Sequence, residues 1–179
     1  MKWVKQSIHY WCPDTKEHKF LGQNVTVAIL DTGISPHPDF KDRILSFRDF
    51  SSTTGSSEKV LFSFSHFSPL IDNSGHGTHV AGILAGSGLL SSGTYAGIAP
   101  FCNLIIGKVL DQNGNGSIKN VINGIQWIRD IYTQFHIRII NISVGTRPDL
   151  SIHQKLLLLN AVESLWDLGL VVVVSAGNY

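Results

Sequence analysis

Cysteine is scarce in this chain of 179 residues, and charge is low and nearly balanced. Two cysteines are present, Cys12 and Cys102, which are too few for a disulfide framework and lack the spacing of a metal site. Two free thiols are typical of a reducing compartment, and a single disulfide between them is the alternative. Charged residues make up 15% of the chain and the formal net charge is +1. Electrostatics therefore give no reason to expect nucleic acid or an anionic membrane as a partner.

Long apolar runs are also absent. The most apolar run, residues 170–174, is strand-sized and far too short to span a bilayer. Residues 1–11 carry charge but no apolar segment of the kind that defines a signal peptide. We therefore expect no membrane association, and we interpret the chain as intracellular or as an already processed secreted protein.

Strand and helix patterns alternate through most of the chain. Apolar runs rich in β-branched residues are typical of buried parallel strands, and apolar residues at helical spacing indicate core-facing helices. Strands are predicted at residues 25–30, 44–50, 60–64, 104–110, 138–144 and 170–174, and helices from residue 76, from about 118 and from about 151. This alternation predicts an α/β fold in three layers, a mostly parallel sheet with helices on both faces. We expect an N-terminal arm at 1–21 and one domain at 22–179.

Three polar side chains follow or precede these elements at comparable places. Asp31 ends one strand, His76 begins a helix with Ser74 and Thr78 as candidate caps, and Asn178 follows the last strand. Because the carboxyl ends of parallel strands share one edge, these groups can converge there. A carboxylate can orient an imidazole, which titrates near neutral pH, and an amide can donate to an oxyanion.

Five segments resemble, in the same order, the motifs of the subtilisin-like serine proteases, or subtilases. They are residues 27–34 (VAILDTGI), 76–82 (HGTHVAG), 97–100 (GIAP), 140–143 (INIS) and 175–178 (SAGN). The resemblance implies a serine endopeptidase in which Asp31 orients the imidazole, His76 is the general base and acid, and Asn178 supplies the oxyanion donor. The order of Asp before His agrees with subtilisin.

The same resemblance implies a peptide or protein substrate, bound as an added extended strand. One side of that strand would pair with Ser143, Val144 and Gly145, and the other with Gly114, Asn115 and Gly116. Val121 is similar to a position that lines a distal substrate pocket, and core packing explains it equally well.

The nucleophile motif of the family, Gly-Thr-Ser followed by Met or a similar residue, is not found in these residues. The resemblance therefore identifies residues 22–179 as the amino-terminal part of a catalytic domain, incomplete at its C-terminal end, and predicts that this part alone is inactive. Its partner would be the missing C-terminal part of the same protease. The alternative is a truncated or pseudo-protease module that binds peptides or a partner chain without catalysis.

Calcium is the cofactor that the resemblance raises, because family members often hold it with a loop before the Gly-x-Ala-Pro motif. In this chain residues 89–95 offer hydroxyl side chains but no carboxylate or amide, whereas calcium prefers carboxylate and carbonyl oxygens. Asp39 resembles one familiar ligand. We expect no certain metal site and leave calcium at Asp39 as an open alternative.

Overall fold

A computed structural model describes residues 2–8, 10, 20–51, 60–61, 72–145 and 150–177. These residues contain one six-stranded sheet with the order β3-β2-β4-β1-β5-β6. Its strands are β1 Thr26–Asp31, β2 Ile44–Asp49, β3 Val60–Leu61, β4 Asn103–Lys108, β5 Ile137–Ile142 and β6 Val171–Val174. Only β3 pairs antiparallel, and all other pairs of strands are parallel. The predicted mostly parallel sheet is therefore confirmed, with strand ends that differ from the prediction by one or two residues at most positions.

Three helices cover the two faces of this sheet among the described residues: α2 His76–Ala85, α3 Ile118–Ile131 and α4 Ile152–Trp166. A short helix, α1 Lys2–Ser7, precedes them in the arm. Alternate residues of β1 point to opposite faces, as the period of two requires. Val27 and Ile29 pack in one apolar cluster with Ala81 of α2, whereas Ala28 and Leu30 pack in another with residues of α3 and α4. The three-layer α/β architecture is confirmed, with α2 on one face and α3 and α4 on the other.

The starts of α3 and α4 follow from local sequence. Ser117 caps α3 by accepting a hydrogen bond from the backbone amide of Asn120. Ser151 and Gln154 form a capping box at the start of α4, and Gly169, with a φ of +78°, lies three residues beyond its end. A serine side chain thus caps the start of each of these helices, within one turn of the chain.

Two aromatic residues of the N-terminal arm lie in different surroundings. The Tyr10 hydroxyl donates to the carbonyl of Ile98 over 2.6 Å, whereas Trp3 is 82% exposed. Trp11 lies outside the described residues, as do Phe62, Phe64 and Phe67.

Candidate active site

Asp31 ends the central strand of the sheet and is fully buried. Its strand, β1, lies between β4 and β5, so no edge of β1 is open to water. Lys108 of β4 is the register partner of Asp31, and its ammonium donates to the carbonyl of Thr32 over 2.5 Å and to that of Leu110 over 2.9 Å. The carboxylate therefore sits in a dry, rigid position at the carboxyl end of the sheet, where α/β folds place their ligands.

His76 and Asp31 form a hydrogen bond, as the sequence predicted. The distance from His76 Nδ1 to Asp31 Oδ1 is 2.7 Å, and this oxygen also accepts from the amide of Thr32 over 2.6 Å. Asp31 Oδ2 has no hydrogen-bond partner among the described residues. Because a carboxylate can only accept, Nδ1 carries a proton, and in the neutral imidazole Nε2 therefore keeps its lone pair. The His76 side chain is 53% exposed, so its ring is accessible to solvent.

Gly77 lets the helix approach Asp31. A Cβ at this position would lie 2.3 Å from the carbonyl oxygen of Gly33 and 3.2 Å from the Cβ of Asp31. The first of these distances is too short for any real contact, so only glycine fits between the helix and the strand end. The His-Gly pair therefore places the imidazole at the end of β1, because a side chain at the next residue would separate the two elements.

Asp72 holds the start of α2, and sequence reasoning missed it. The N-cap residue is Gly75, which has a positive φ and no side-chain cap. The Asp72 carboxylate instead accepts from the amide of Gly75 over 2.9 Å and from the amide and hydroxyl of Thr78 over 2.8 and 2.6 Å. The expected caps, Ser74 and Thr78, were wrong. An Asp three residues before a helix N-cap was the signal available in the sequence.

The same carboxylate joins the helix to the strand end. Thr32 Oγ1 donates to Asp72 over 2.8 Å and accepts from the amide of Gly77 over 2.9 Å. Burial would raise the pKa of Asp72, but the hydrogen bonds from Thr78, Thr32 and Gly75 outweigh burial and lower it. Asp72 therefore ties together the two turns that carry Asp31 and His76, and it does so as an anion.

The segments predicted to bind substrate follow the two strands that flank β1. Gly114, Asn115 and Gly116 lie exposed in the turn after β4, where the Asp111 carboxylate accepts from the amide of Asn115 over 2.9 Å. Ser143, Val144 and Gly145 follow β5. The sheet order thus brings both segments to the same edge as Asp31, one on each side. Their contact with a peptide stays a prediction.

The Ser143 segment has internal bonds on both of its first two residues. The Ser143 hydroxyl accepts from the amide of Asn141 over 2.7 Å, and the carbonyl of Val144 accepts from the Ser175 hydroxyl over 3.1 Å. The first of these bonds comes from the side-chain amide of Asn141 and lies within the segment that ends β5. The second connects the ends of β5 and β6.

Three further residues complete the predicted set. Val121 is buried in the cluster formed by α3 and α4, which agrees with core packing. His79 is exposed. Asn178 lies outside the described residues.

The described residues contain no group of three His, Cys, Asp or Glu side chains placed to hold a metal ion. Within the same ranges, no helix has the length and apolar character needed to cross a bilayer.

Known structures and sequences are similar to this chain over most of its length. The structure of sphericase matches with a TM-score of 0.71 and 29% identity, covering 88% of this chain and 47% of that one. The structure titled S41 psychrophilic protease matches with a TM-score of 0.69 and 31% identity over 88% and 47%.

Among curated proteins, the serine protease AprX of Bacillus subtilis is 42% identical over 162 residues, which are 88% of this chain and 34% of AprX. The major intracellular serine protease of Bacillus subtilis is 37% identical over 159 residues, covering 88% and 44%. The chain thus spans between a third and a half of the length of these relatives. The profile of the Subtilase family matches residues 22–179. With its aspartate and histidine motifs joined at one sheet edge, the chain belongs to the subtilase family.

Proposed function

We propose that this protein is a serine endopeptidase that hydrolyses peptide bonds with a Ser-His-Asp triad, of which Asp31 and His76 are two members. The observation that carries the proposal is the hydrogen bond of 2.7 Å between a fully buried carboxylate and a half-exposed imidazole. A binding module needs neither a fixed tautomer nor an accessible basic nitrogen, so the pair favours catalysis over the alternative of peptide binding alone.

His76 would move protons in two directions during the reaction. The hydroxyl oxygen of the nucleophilic serine attacks the scissile carbonyl, and its proton passes to His76 Nε2. Asp31 stabilises the imidazolium that forms, and His76 then gives the proton to the leaving amine as the carbon–nitrogen bond breaks. Water releases the acyl group in a second cycle with the same base. The serine would come from outside residues 1–179, because none of the serines here has the required motif.

The substrate would be a peptide in extended conformation. It would lie between the turn at 114–116 and the segment at 143–145, which follow the two strands that flank β1. Asn178 would donate to the carbonyl oxygen as negative charge develops on it. We further propose that residues 1–179 alone do not hydrolyse peptides, and that the C-terminal part of the same protease is the partner that completes the site.

The test compares residues 1–179 with a protein extended along the same reading frame. Each is incubated with casein, an unstructured substrate, and with a fluorophosphonate that labels activated serines. Release of peptides and labelling of the extended protein only, both lost on His76→Ala, is the expected result. Casein binding without peptide release by the extended protein would establish the non-catalytic module instead. Turnover by residues 1–179 that needs His76 would reveal a nucleophile within them and refute the proposed division.

A further inference from the structure

Asp39, the residue that resembles a calcium ligand, has both carboxylate oxygens committed to the protein. It lies in a short 3-10 helix, Pro38–Phe40, opposite the loop at 86–95. Oδ2 accepts from the amide of Gly88 over 3.0 Å and Oδ1 from the amide of Leu90 over 3.4 Å. A carboxylate that faces backbone N–H groups is placed to hold the loop directly, without a cation between them.

The loop itself does not offer the ligands that calcium requires. Residues 86–95 contain glycine, serine, leucine, threonine and tyrosine only. Between this loop and the Pro38–Phe40 helix, Asp39 would be the single carboxylate in a site that needs six to eight oxygens. The carbonyl of Gly88 already accepts from the amides of Ser91 and Gly93 over 3.0 and 2.9 Å, and the carbonyl of Gly86 accepts from Gly97 over 2.7 Å. Two of the loop carbonyls are thus already paired with backbone amides, and with a single carboxylate beside them the described residues do not fit a calcium ion.

Arg43 supplies a positive charge at this same place. Its guanidinium donates to the carbonyl of Cys102 over 2.9 Å, to that of Ala85 over 2.7 Å, and to that of Asp39. Ala85 is the last residue of α2, where unpaired carbonyls carry the negative end of the helix dipole. Burial lowers the pKa of Arg43, but a guanidinium keeps its charge throughout the physiological range. One cation therefore gathers three carbonyl oxygens from three separate segments.

We propose that Arg43, together with Asp39, replaces a calcium ion in this subtilase and holds the loop at 86–95 against the C-terminal end of α2 without metal. Arg43 binds the carbonyls of Asp39, Ala85 and Cys102, and the Asp39 carboxylate binds the loop amides of Gly88 and Leu90. Because α2 carries His76 at its other end, this clamp also fixes the helix from the side opposite the candidate active site. The inference concerns metal dependence and stands apart from the proposed catalysis.

The experiment follows hydrogen exchange at the amides of Gly88 and Leu90 in the purified protein, with excess EDTA and with millimolar calcium. We expect equal protection in both solutions. Arg43→Met keeps the length of the side chain but removes its charge and its hydrogen bond to the carbonyl of Asp39. Asp39 should then no longer hold the amides of Gly88 and Leu90, so their exchange should rise more than about tenfold, the change expected when hydrogen bonds to a charged group are lost. Added calcium should not restore protection. The exposed Arg138 of β5 supplies the control, and Arg138→Met should leave both amides unchanged.

The proposal fails if EDTA accelerates exchange at these two amides and calcium reverses the effect, with Asp39→Ala abolishing that response. It also fails if Arg43→Met leaves their protection unchanged. Should Arg43→Met not fold, Arg43→Lys serves in its place, because a single ammonium cannot reach all three carbonyls and should give a smaller acceleration in the same direction. No activity is measured, so the result does not depend on the proposed function.

Discussion

The central strand β1 and the edge strand β6 are built from similar residues and end in opposite environments. All residues of β1 are buried, whereas Val171, Val173 and Val174 of β6 are 54%, 47% and 58% exposed. β1 pairs with β4 and β5, and among the described residues β6 pairs with β5 alone. A run of apolar, β-branched residues thus indicates a strand that can be buried. The strands that pair with it decide whether it is buried.

This difference matters for the candidate site because each strand leads to one of its residues. Asp31 ends the buried strand and is held by Thr32, His76 and the packing of Gly77. Residues 175–177 follow the exposed strand and lead to Asn178. Among the described residues, the carboxyl end of β1 is therefore preorganised, whereas β6 has a partner strand on one side only.

The largest expected effect on turnover comes from Asp31, at the end of the central strand β1. Asp31→Asn, made in a protein that contains the nucleophile, keeps the shape of the side chain but no longer fixes the His76 tautomer. Turnover should fall by about ten-thousandfold, the scale seen when the triad aspartate loses its charge. Steady-state kinetics with a peptide substrate measure this, and an unchanged circular dichroism spectrum shows that the fold is intact. A loss below tenfold would remove Asp31 from the triad.

Asn178, which follows the edge strand β6, is tested by Asn178→Leu. This substitution replaces the side-chain amide with an apolar group of similar size. Charge on the substrate oxygen grows only toward the transition state, so kcat should fall about a hundred- to a thousandfold with the Michaelis constant nearly unchanged. Measuring kcat and KM separately decides the role. A mainly raised KM would mean that Asn178 binds the substrate, and no effect would make it a turn residue only.

Gly77→Ala tests the close contact between α2 and the end of β1. The added Cβ would overlap the carbonyl of Gly33, so the free energy of unfolding should fall by about 3 kcal/mol, at the upper end of the cost of overpacking. Gly82 lies on the same helix with nothing within 4 Å of a built Cβ. Gly82→Ala should instead stabilise the protein by up to about 1 kcal/mol through helix propensity. Urea denaturation of both variants checks the pair, and equal effects would contradict the packing argument.

Val27→Ala and Val173→Ala compare the two strands directly with the same substitution. Val27 of β1 is 2% exposed and Val173 of β6 is 47% exposed. We expect a loss of about 2 kcal/mol in the free energy of unfolding at Val27 and a change within about 0.5 kcal/mol at Val173. Thermal or urea denaturation measures both. A large loss at Val173 would show that the edge is covered in solution, for example by a second chain.

The smallest expected effect is a pH dependence at Asp72. Because the folded pKa of Asp72 lies below its ordinary value of 3.8, its contribution to stability is present above that value and is lost as pH falls further. Asp72→Asn should therefore be less stable than the unaltered protein at neutral pH, with the gap narrowing below about pH 4. Urea denaturation between pH 7 and 3 tests this, with the exposed Asp130→Asn as control. If the difference in stability between Asp72→Asn and the unaltered protein does not narrow, the charge of Asp72 does not contribute to stability.

Much of this protein is readable from local patterns. Residue periodicity predicts the strands and helices, because period two and period 3.6 each bury one face. The caps of α3 and α4 are local as well, since their hydrogen bonds span three residues. The aspartate and histidine motifs name Asp31 and His76, and the two are bonded as expected.

Only the tertiary structure decided which strand is central and which side chains join distant segments. The apolar runs of β1 and β6 do not differ in a way that orders them in the sheet, because pairing depends on the crossovers between strands. Asp72 meets Thr32 from 40 positions away, and Arg43 meets Cys102 from 59. A local rule cannot find such bonds, since their partners become neighbours only once the chain has packed.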